Sequence, residues 1–214
     1  MQPVWELPLS PSGILVDLTN GKQVRIRPVR PADIELLQAA FLRLSPQSRY
    51  FRFFQMRDTL DENLAASLTD IDHTDHFAWG VFDPAEQSDG DDASGLGIAV
   101  ARLIRDDDPA SAEAAVVVVD SYHGRGIGRF LLELLATTAA DIGVTTLRFE
   151  ILRENRPMIQ MMATAGATAH RNVNDPSVVN YHLAVPSAEE TDPPLGALYE
   201  LLRHVDQLAG PSES

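Results

Sequence analysis

Glu113-Ala114-Ala115-Val116-Val117-Val118-Val119 is a short, almost wholly apolar run, and Ser121-Tyr122 carries it into His123-Gly124-Arg125-Gly126-Ile127-Gly128-Arg129. An apolar run of this length without polar alternation suits a strand in the middle of a sheet. Beyond it Phe130, Leu131, Leu134, Leu135 and Thr138 recur at helical spacing, and Gly143 ends the pattern. A strand entering a glycine-rich turn and then a helix is an arrangement for holding phosphate. The glycines let the backbone approach the anion, and the unpaired N–H groups of the helix start point at it. A Walker loop would end in Gly-Lys-Ser/Thr, which Arg129-Phe130 does not supply. A dinucleotide fingerprint would need glycine at 129, where Arg stands, although Glu150 follows at about the right distance for a ribose contact. That fingerprint also belongs near the start of a parallel sheet, whereas several strand patterns precede the turn here.

Those preceding patterns begin with a hairpin. Ile14–Leu18 and Gln23–Arg27 flank Asn20-Gly21, the pair best suited to a two-residue type I′ turn. Arg25 and Arg27 alternate with Val24 and Ile26, which predicts a strand with one wet face. Pro31-Ala32-Asp33 opens a helix carrying Ile34, Leu37 and Phe41, Ser45-Pro46 opens a second through Phe54, and a third covers Asp61 to Thr69. Phe77–Phe82 and Leu96–Ile104 read as strands around a loop of small, acidic and turn residues. Asp106-Asp107-Asp108 is read as a solvated turn rather than a metal site, and His73 with His76 as loop capping; no metal is expected. After the long helix come a strand at Leu147–Leu152, a helix opened by Pro157 and ended by Gly166, and a strand from Val178 to Val185 that closes the sheet. Leu195 to Leu208 predicts an amphipathic C-terminal helix. The class is α/β: a mixed central sheet flanked by helices, with an N-terminal hairpin and a C-terminal helix. The expected division is an extension with the first hairpin strand over 1–22, the α/β domain over 23–186, and a polar linker with the last helix over 187–214.

Composition narrows what such a domain can do. The chain has 214 residues, 44% hydrophobic and 22% charged, which is a folded-domain profile. With 31 acidic residues against 17 Lys and Arg, its formal charge is −14. That balance argues against nucleic acid and against an anionic membrane surface as partners. No cysteine is present, which excludes disulfides, zinc–thiolate sites and a cysteine nucleophile, and fits a reducing cytoplasm. Met1 to Glu6 lacks the basic and apolar regions of a signal peptide, and no stretch reaches the roughly 20 apolar residues of a membrane span.

Three stretches carry a family resemblance. His123-x-x-Gly126-x-Gly128, after an apolar strand and before a long helix, resembles the pyrophosphate loop of the GNAT acetyltransferases, with His123 where that family usually has Gln or Arg. Asn155-Arg156-Pro157-Met158, leading through Met161-Met162 to Gly166-Ala167, resembles the family's second motif. Ser45-Pro46-Gln47-Ser48-Arg49-Tyr50-Phe51-Arg52-Phe53-Phe54, then Asp75-His76-Phe77-Ala78-Trp79, then Glu113, is similar to the bacterial Pat-type protein lysine acetyltransferases. The resemblance runs from about Val24 to Val185. About twenty residues precede Gln23, so a fused cyclic-nucleotide-binding or synthetase module is not expected.

The resemblance implies acetyl-CoA as co-substrate and direct transfer to an amine, which agrees with the missing cysteine. It implies Glu113 as the general base, ten residues before His123. Strand alternation puts Glu113 on one face with Ala115 and Val117, away from Val116 and Val118. The backbone of Val116, Val117 and Val118 is expected to pair with the pantetheine arm. His123, Gly124, Arg125, Gly126, Ile127, Gly128 and Arg129 are expected to hold the pyrophosphate, and Asn155 to reach the pantetheine or cap its helix. Arg49 and Arg52 are expected near cofactor or substrate, and the aromatic run from Tyr50 to Phe54 in the core. Met162 stands where many relatives carry a tyrosine acid, so no general acid is assigned. The acceptor stays open between a protein lysine, of an acyl-CoA synthetase above all, and a small amine, with a non-catalytic CoA-binding sensor as the third reading. Oligomeric state is also open.

Overall fold

In the computed structural model, residues 13–18, 21–86 and 94–186 are described. The apolar run that opened the sequence is β5 (Ser111–Val118), the fifth strand of an eight-stranded sheet in the order β1-β2-β3-β4-β5-β6-β8-β7. Its neighbours in that order are β1 (Ile14–Asp17), β2 (Gln23–Pro28), β3 (His76–Asp83) and β4 (Leu96–Arg105) on one side. On the other side lie β6 (Thr146–Leu152), β8 (Val178–Ala184) and β7 (Thr168–Arg171). All pairs are antiparallel except β5 with β6, which makes the sheet mixed.

That parallel pair is short. Ser111, Ala112 and Glu113 are in register with Thr146, Leu147 and Arg148, and beyond Glu113 the β6-facing edge of β5 has no strand partner. Five residues of β5, about 16 Å at ~3.3 Å each, are thereby left along a cleft.

The helices are α1 (Ile34–Leu42), α2 (Pro46–Phe53), α3 (Glu62–Thr69), α4 (Ile127–Asp141) and α5 (Arg156–Thr164). Three of them start on a side-chain cap: Ser45 accepts from Ser48 N–H, Asp61 from Leu64 N–H and Asn155 from Met158 N–H. The predicted stripe of α4 is buried, with Leu131, Leu134, Leu135 and Thr138 at 0% exposure. Thr138 Oγ1 also accepts the Trp79 indole N–H at 3.0 Å, which fixes α4 on β3. Ala112, Ala114, Val116 and Val118 of β5 face this core, while Val117 packs in a second core with Phe41, Leu44, Leu60 and Ala65 of the α1–α3 layer. The alternation read from the sequence therefore holds: Glu113 is on the α1–α3 side of the sheet.

Four expectations need correction. The hairpin closes with Leu18 N–H on Lys22 O and Gly21 N–H on Leu18 O, so it spans three residues rather than two, with Gly21 at φ +76° as the left-handed residue. β2 does not have a wet face throughout. Arg27 is completely buried, because the 3₁₀ turn Pro31–Asp33 at the head of α1 folds over it and supplies the Asp33 carboxylate. The sheet is closed not by β8 but by β7, which pairs antiparallel with it at the edge. Every residue of β7 is exposed, so it has no apolar period to betray it. Finally, Tyr50 to Phe54 is not one core segment: Phe53 packs edge-on against Phe41 at 5.7 Å, while Phe51 and Phe54 face a cavity. The expected C-terminal helix lies outside the described residues.

Candidate active site

The cleft left where β5 and β6 part is a cavity of about 580 Å³. Its floor is Glu113 to Val118 of β5, its far wall Phe149, Glu150 and Ile151 of β6, and its upper end the turn into α4. Asn155, Pro157, Met158 and Met161 close one side, and Gln47, Ser48, Phe51, Arg52 and Phe54 of α2 and its cap roof it.

The roof is held by one carboxylate. Asp120, just past β5, accepts from Ser45 N–H at 2.8 Å, Ser45 Oγ at 2.7 Å and Ser48 Oγ at 2.8 Å. The head of α2 is thus tied to the end of β5, and its last turn brings Arg52 within electrostatic reach of Glu113 near the strand's start. So α2 runs along β5 in the opposite sense. Burial pushes the Asp120 carboxyl up, but the bonds from Ser45 and Ser48 and the nearby His123 outweigh it and hold the group below its usual range. A depressed folded-state value contributes stability above the unfolded value, about pH 4, and loses it as pH falls through the folded one. Asp120→Asn is therefore expected to lower the urea midpoint at pH 7, with the gap from wild type shrinking below about pH 4. A gap that is constant between pH 7 and pH 3 would contradict this.

At the upper end, Gly126 caps α4 at φ +83°, a conformation that costs an L side chain about 1–2 kcal/mol. No side chain caps this helix, in contrast to α2, α3 and α5. A Cβ on Gly128 would sit 3.1 Å from Met161 Sδ, so the glycine also lets α5 close on α4. The bare helix start, the glycine turn and the elongated cleft below it suit a phosphate with an extended arm. His123 lines the cavity, but its Nε2 is 2.8 Å from Val118 O, so the ring donates back to the end of β5. Asn155 lines it too while capping α5.

Of the sequence candidates, Glu113, Val116, Val117, Val118, His123, Gly124, Gly126, Ile127, Gly128, Arg129 and Asn155 all line this one cavity. Arg125 does not. Its guanidinium lies 4.5 Å over the Tyr122 ring and donates to Ser121 O, because a helix-start side chain can turn back on the preceding turn. Arg129 lines the cavity while its guanidinium pairs with Glu133 on the surface at 3.0 Å. Arg49 is also outside: it braces the α1–α2 junction through Leu42, Leu44 and Asp58 carbonyls. Met162 is buried at 0% in the α4 core and carries no proton to give.

The sequence reading missed Tyr122, which lines the cavity and donates to Asp83 at 3.0 Å. Burial first, and then Asp83, push its hydroxyl up to about 12, so it stays protonated. Asp106 accepts a two-pronged bond from Arg148 at 2.6 and 2.7 Å. Among the described residues no group of three or more His, Asp or Glu side chains could hold a metal ion. Nor, among those residues, is any helix long and apolar enough to cross a membrane.

A strand that loses its parallel partner halfway, an uncapped helix above the gap and an exposed carboxylate below it can together take an extended, phosphate-bearing ligand beside a proton acceptor. The chain belongs to the GNAT acetyltransferases: residues 23–168 match the family described as Acetyltransferase (GNAT) domain. It is 33% identical over 177 residues to the acetyltransferase Pat of Mycolicibacterium smegmatis, across 82% of this chain and 50% of that protein. The GNAT domain of S. lividans PAT superposes with a TM-score of 0.71 at 27% identity, over 81% of this chain and 97% of that one. A cAMP-binding acyltransferase from Mycobacterium smegmatis gives 0.59 at 30% identity, over 91% of this chain and 53% of its own. The chain thus spans about half the length of the M. smegmatis relatives. Domains of this family use acetyl-CoA as co-substrate.

Proposed function

We propose that this acetyltransferase passes acetyl from acetyl-CoA directly to a protein lysine, with AMP-forming acyl-CoA synthetases as the substrate class. The observation that carries the reading is Glu113: an exposed carboxylate in the cavity wall, at the point where β5 and β6 part. Kinship with Pat-type enzymes supports lysine as the acceptor. A reducing cytoplasm is the compartment that a cysteine-free chain of this family fits.

Acetyl-CoA supplies the acyl group as a thioester. The N–H groups of Ile127, Gly128 and Arg129 hold its pyrophosphate at the head of α4, and the free edge of Val116, Val117 and Val118 takes the pantetheine as a neighbouring strand. A lysine amine, which titrates near pH 10.4 in water, arrives protonated, and Glu113 takes that proton directly or through a water. A thiol that titrates near pH 8.5 is a fair leaving group at neutral pH, so a cavity whose Tyr122 is committed to Asp83 and whose Met162 has no proton still turns over.

Incubating the purified chain with acetyl-CoA and a synthetase of this class is expected to give acetyl-lysine on the synthetase, read by mass spectrometry. Absence of product with wild-type enzyme would refute the lysine assignment. The −14 charge favours a second reading, a small cationic amine as acceptor, and thiol release across an amine panel separates the two.

A further inference from the structure

Beside Glu113, Asp120, Arg129 and Glu150, the cavity lining holds a further charge that proton removal does not use. Arg52, in the last turn of α2, lines it together with Glu113. Its guanidinium lies 5.1 Å from the Phe53 ring, and among the described residues it makes no hydrogen bond and no ion pair. The arginines around it are committed. Arg102 on β4 meets the His76 ring nitrogen and the Leu68 carbonyl, Arg49 holds backbone carbonyls, and Arg148 holds Asp106. Burial pushes Arg52 below its ordinary value, with Glu113 acting in the other direction; burial first, and then the Arg52 charge, bring Arg102 down to about 9. A half-buried cation beside a second cation, with no hydrogen bond or ion pair among the described residues, carries a desolvation cost.

Two uses can be weighed. Had Arg52 served to fix Glu113, the two groups would be in contact, and they are not. An acceptor amine arrives as a cation, which Glu113 attracts and Arg52 repels. The wall therefore presents a carboxylate and a guanidinium separately, the complement of an ammonium and a carboxylate carried by one molecule. We infer that Arg52 is a specificity-determining residue that takes a carboxylate of the acceptor. The favoured acceptor is then an amine with a carboxylate close by: a lysine next to Asp or Glu in a protein, or a free amino acid. Guanidinium binds carboxylate through two parallel bonds, which fixes orientation as well as charge. This inference rests on reading the cavity as the transfer site.

The test uses two substrate pairs with the full chain and acetyl-CoA, read by thiol release. One pair is a capped peptide with Glu or Gln after its lysine; the other is lysine against cadaverine, the same amine without its carboxylate. Wild type is expected to favour the carboxylate-bearing member of at least one pair by about tenfold or more in kcat/KM, mostly through KM. Which pair shows the preference identifies the source of the carboxylate. The ratio is expected to collapse towards one in Arg52→Gln and to return in part in Arg52→Lys, a point charge without the fork. A merely structural role would lower both members of a pair alike. Equal efficiencies in wild type, or a ratio that survives Arg52→Gln, overturns the assignment while leaving acetyl transfer standing. If no acceptor releases thiol, the transfer reading falls, and calorimetry with acetyl-CoA-saturated protein decides Arg52 alone. Lysine binding weakened about tenfold or more by Arg52→Gln sustains it, and lysine binding that is absent or unchanged removes it.

Discussion

Replacing Glu113 by Gln is expected to lower kcat by roughly 10²- to 10⁴-fold, the range a positioned general base contributes. The fold and the binding of acetyl-CoA are expected to survive. Glu113 is exposed, its side chain makes no hydrogen bond among the described residues, and it lies at the end of the cavity away from the glycine turn. Gln keeps the shape, so the change removes only the capacity to take a proton and the charge felt by Arg52 and Arg148. The pH dependence separates loss of the base from a general disturbance. Without an enzymic base the reaction must use the small fraction of free amine, so the variant's rate is expected to climb with pH towards the amine's own value, near 10.4. Stopped assays by thiol release from pH 6 to 10, with a thermal melt of each protein, suffice. A variant within about threefold of wild type at pH 7 would move the base elsewhere.

The strand, the turn and the helix around this residue were legible because one local pattern serves both folding and binding. The apolar run from Ala114 to Val119, the glycines and the stripe of α4 each have a period or a turn chemistry of their own, and they bring eleven of the twelve candidate residues to one cavity. What was not legible is what tertiary contact decides. Arg27 alternates with Val24 and Ile26 as an exposed residue would, and only the fold of the chain back over β2 buries it. Arg52 and Arg49 lie three residues apart on a short helix, yet one faces the cavity and the other braces a turn, because Asp120 fixes the rotation of α2 through Ser45 and Ser48. β7 owes its existence to pairing with β8 rather than to its own residues.

The burial of Arg27 sets up the largest stability effect. Its Nη1 and Nη2 donate to the two Asp33 oxygens at 2.7 and 2.9 Å, its Nε to Ser94 Oγ at 2.9 Å, and its guanidinium lies 4.5 Å from the Phe82 ring centroid. Asp33 also accepts Arg30 N–H at 2.8 Å, which pins the turn at the head of α1 to β2. Asp33→Ala takes the two-pronged carboxylate away from a fully buried cation, and breaking a buried pair by removing one partner costs about 3–5 kcal/mol. For a chain of this size that is a fall in Tm of roughly 6–20 °C, a large share of the usual 5–15 kcal/mol of stability. Asp33→Asn keeps an acceptor and is expected to fall between. The double change Arg27→Met with Asp33→Leu removes the buried cation as well and is expected to be more stable than Asp33→Ala alone, because an apolar pair of similar size replaces a buried ion pair at little net cost. The same cycle has a functional readout. α1 leads into α2 through only Arg43, Leu44 and Ser45, so loosening its head loosens the roof over Glu113. Asp33→Ala assayed well below its Tm is therefore expected to raise KM for the acceptor more than that for acetyl-CoA, whose glycine turn belongs to β5 and α4. Equal stability of Asp33→Ala and wild type in urea would mean that the pair carries no net load, and that α1 is held by the Phe41 core instead.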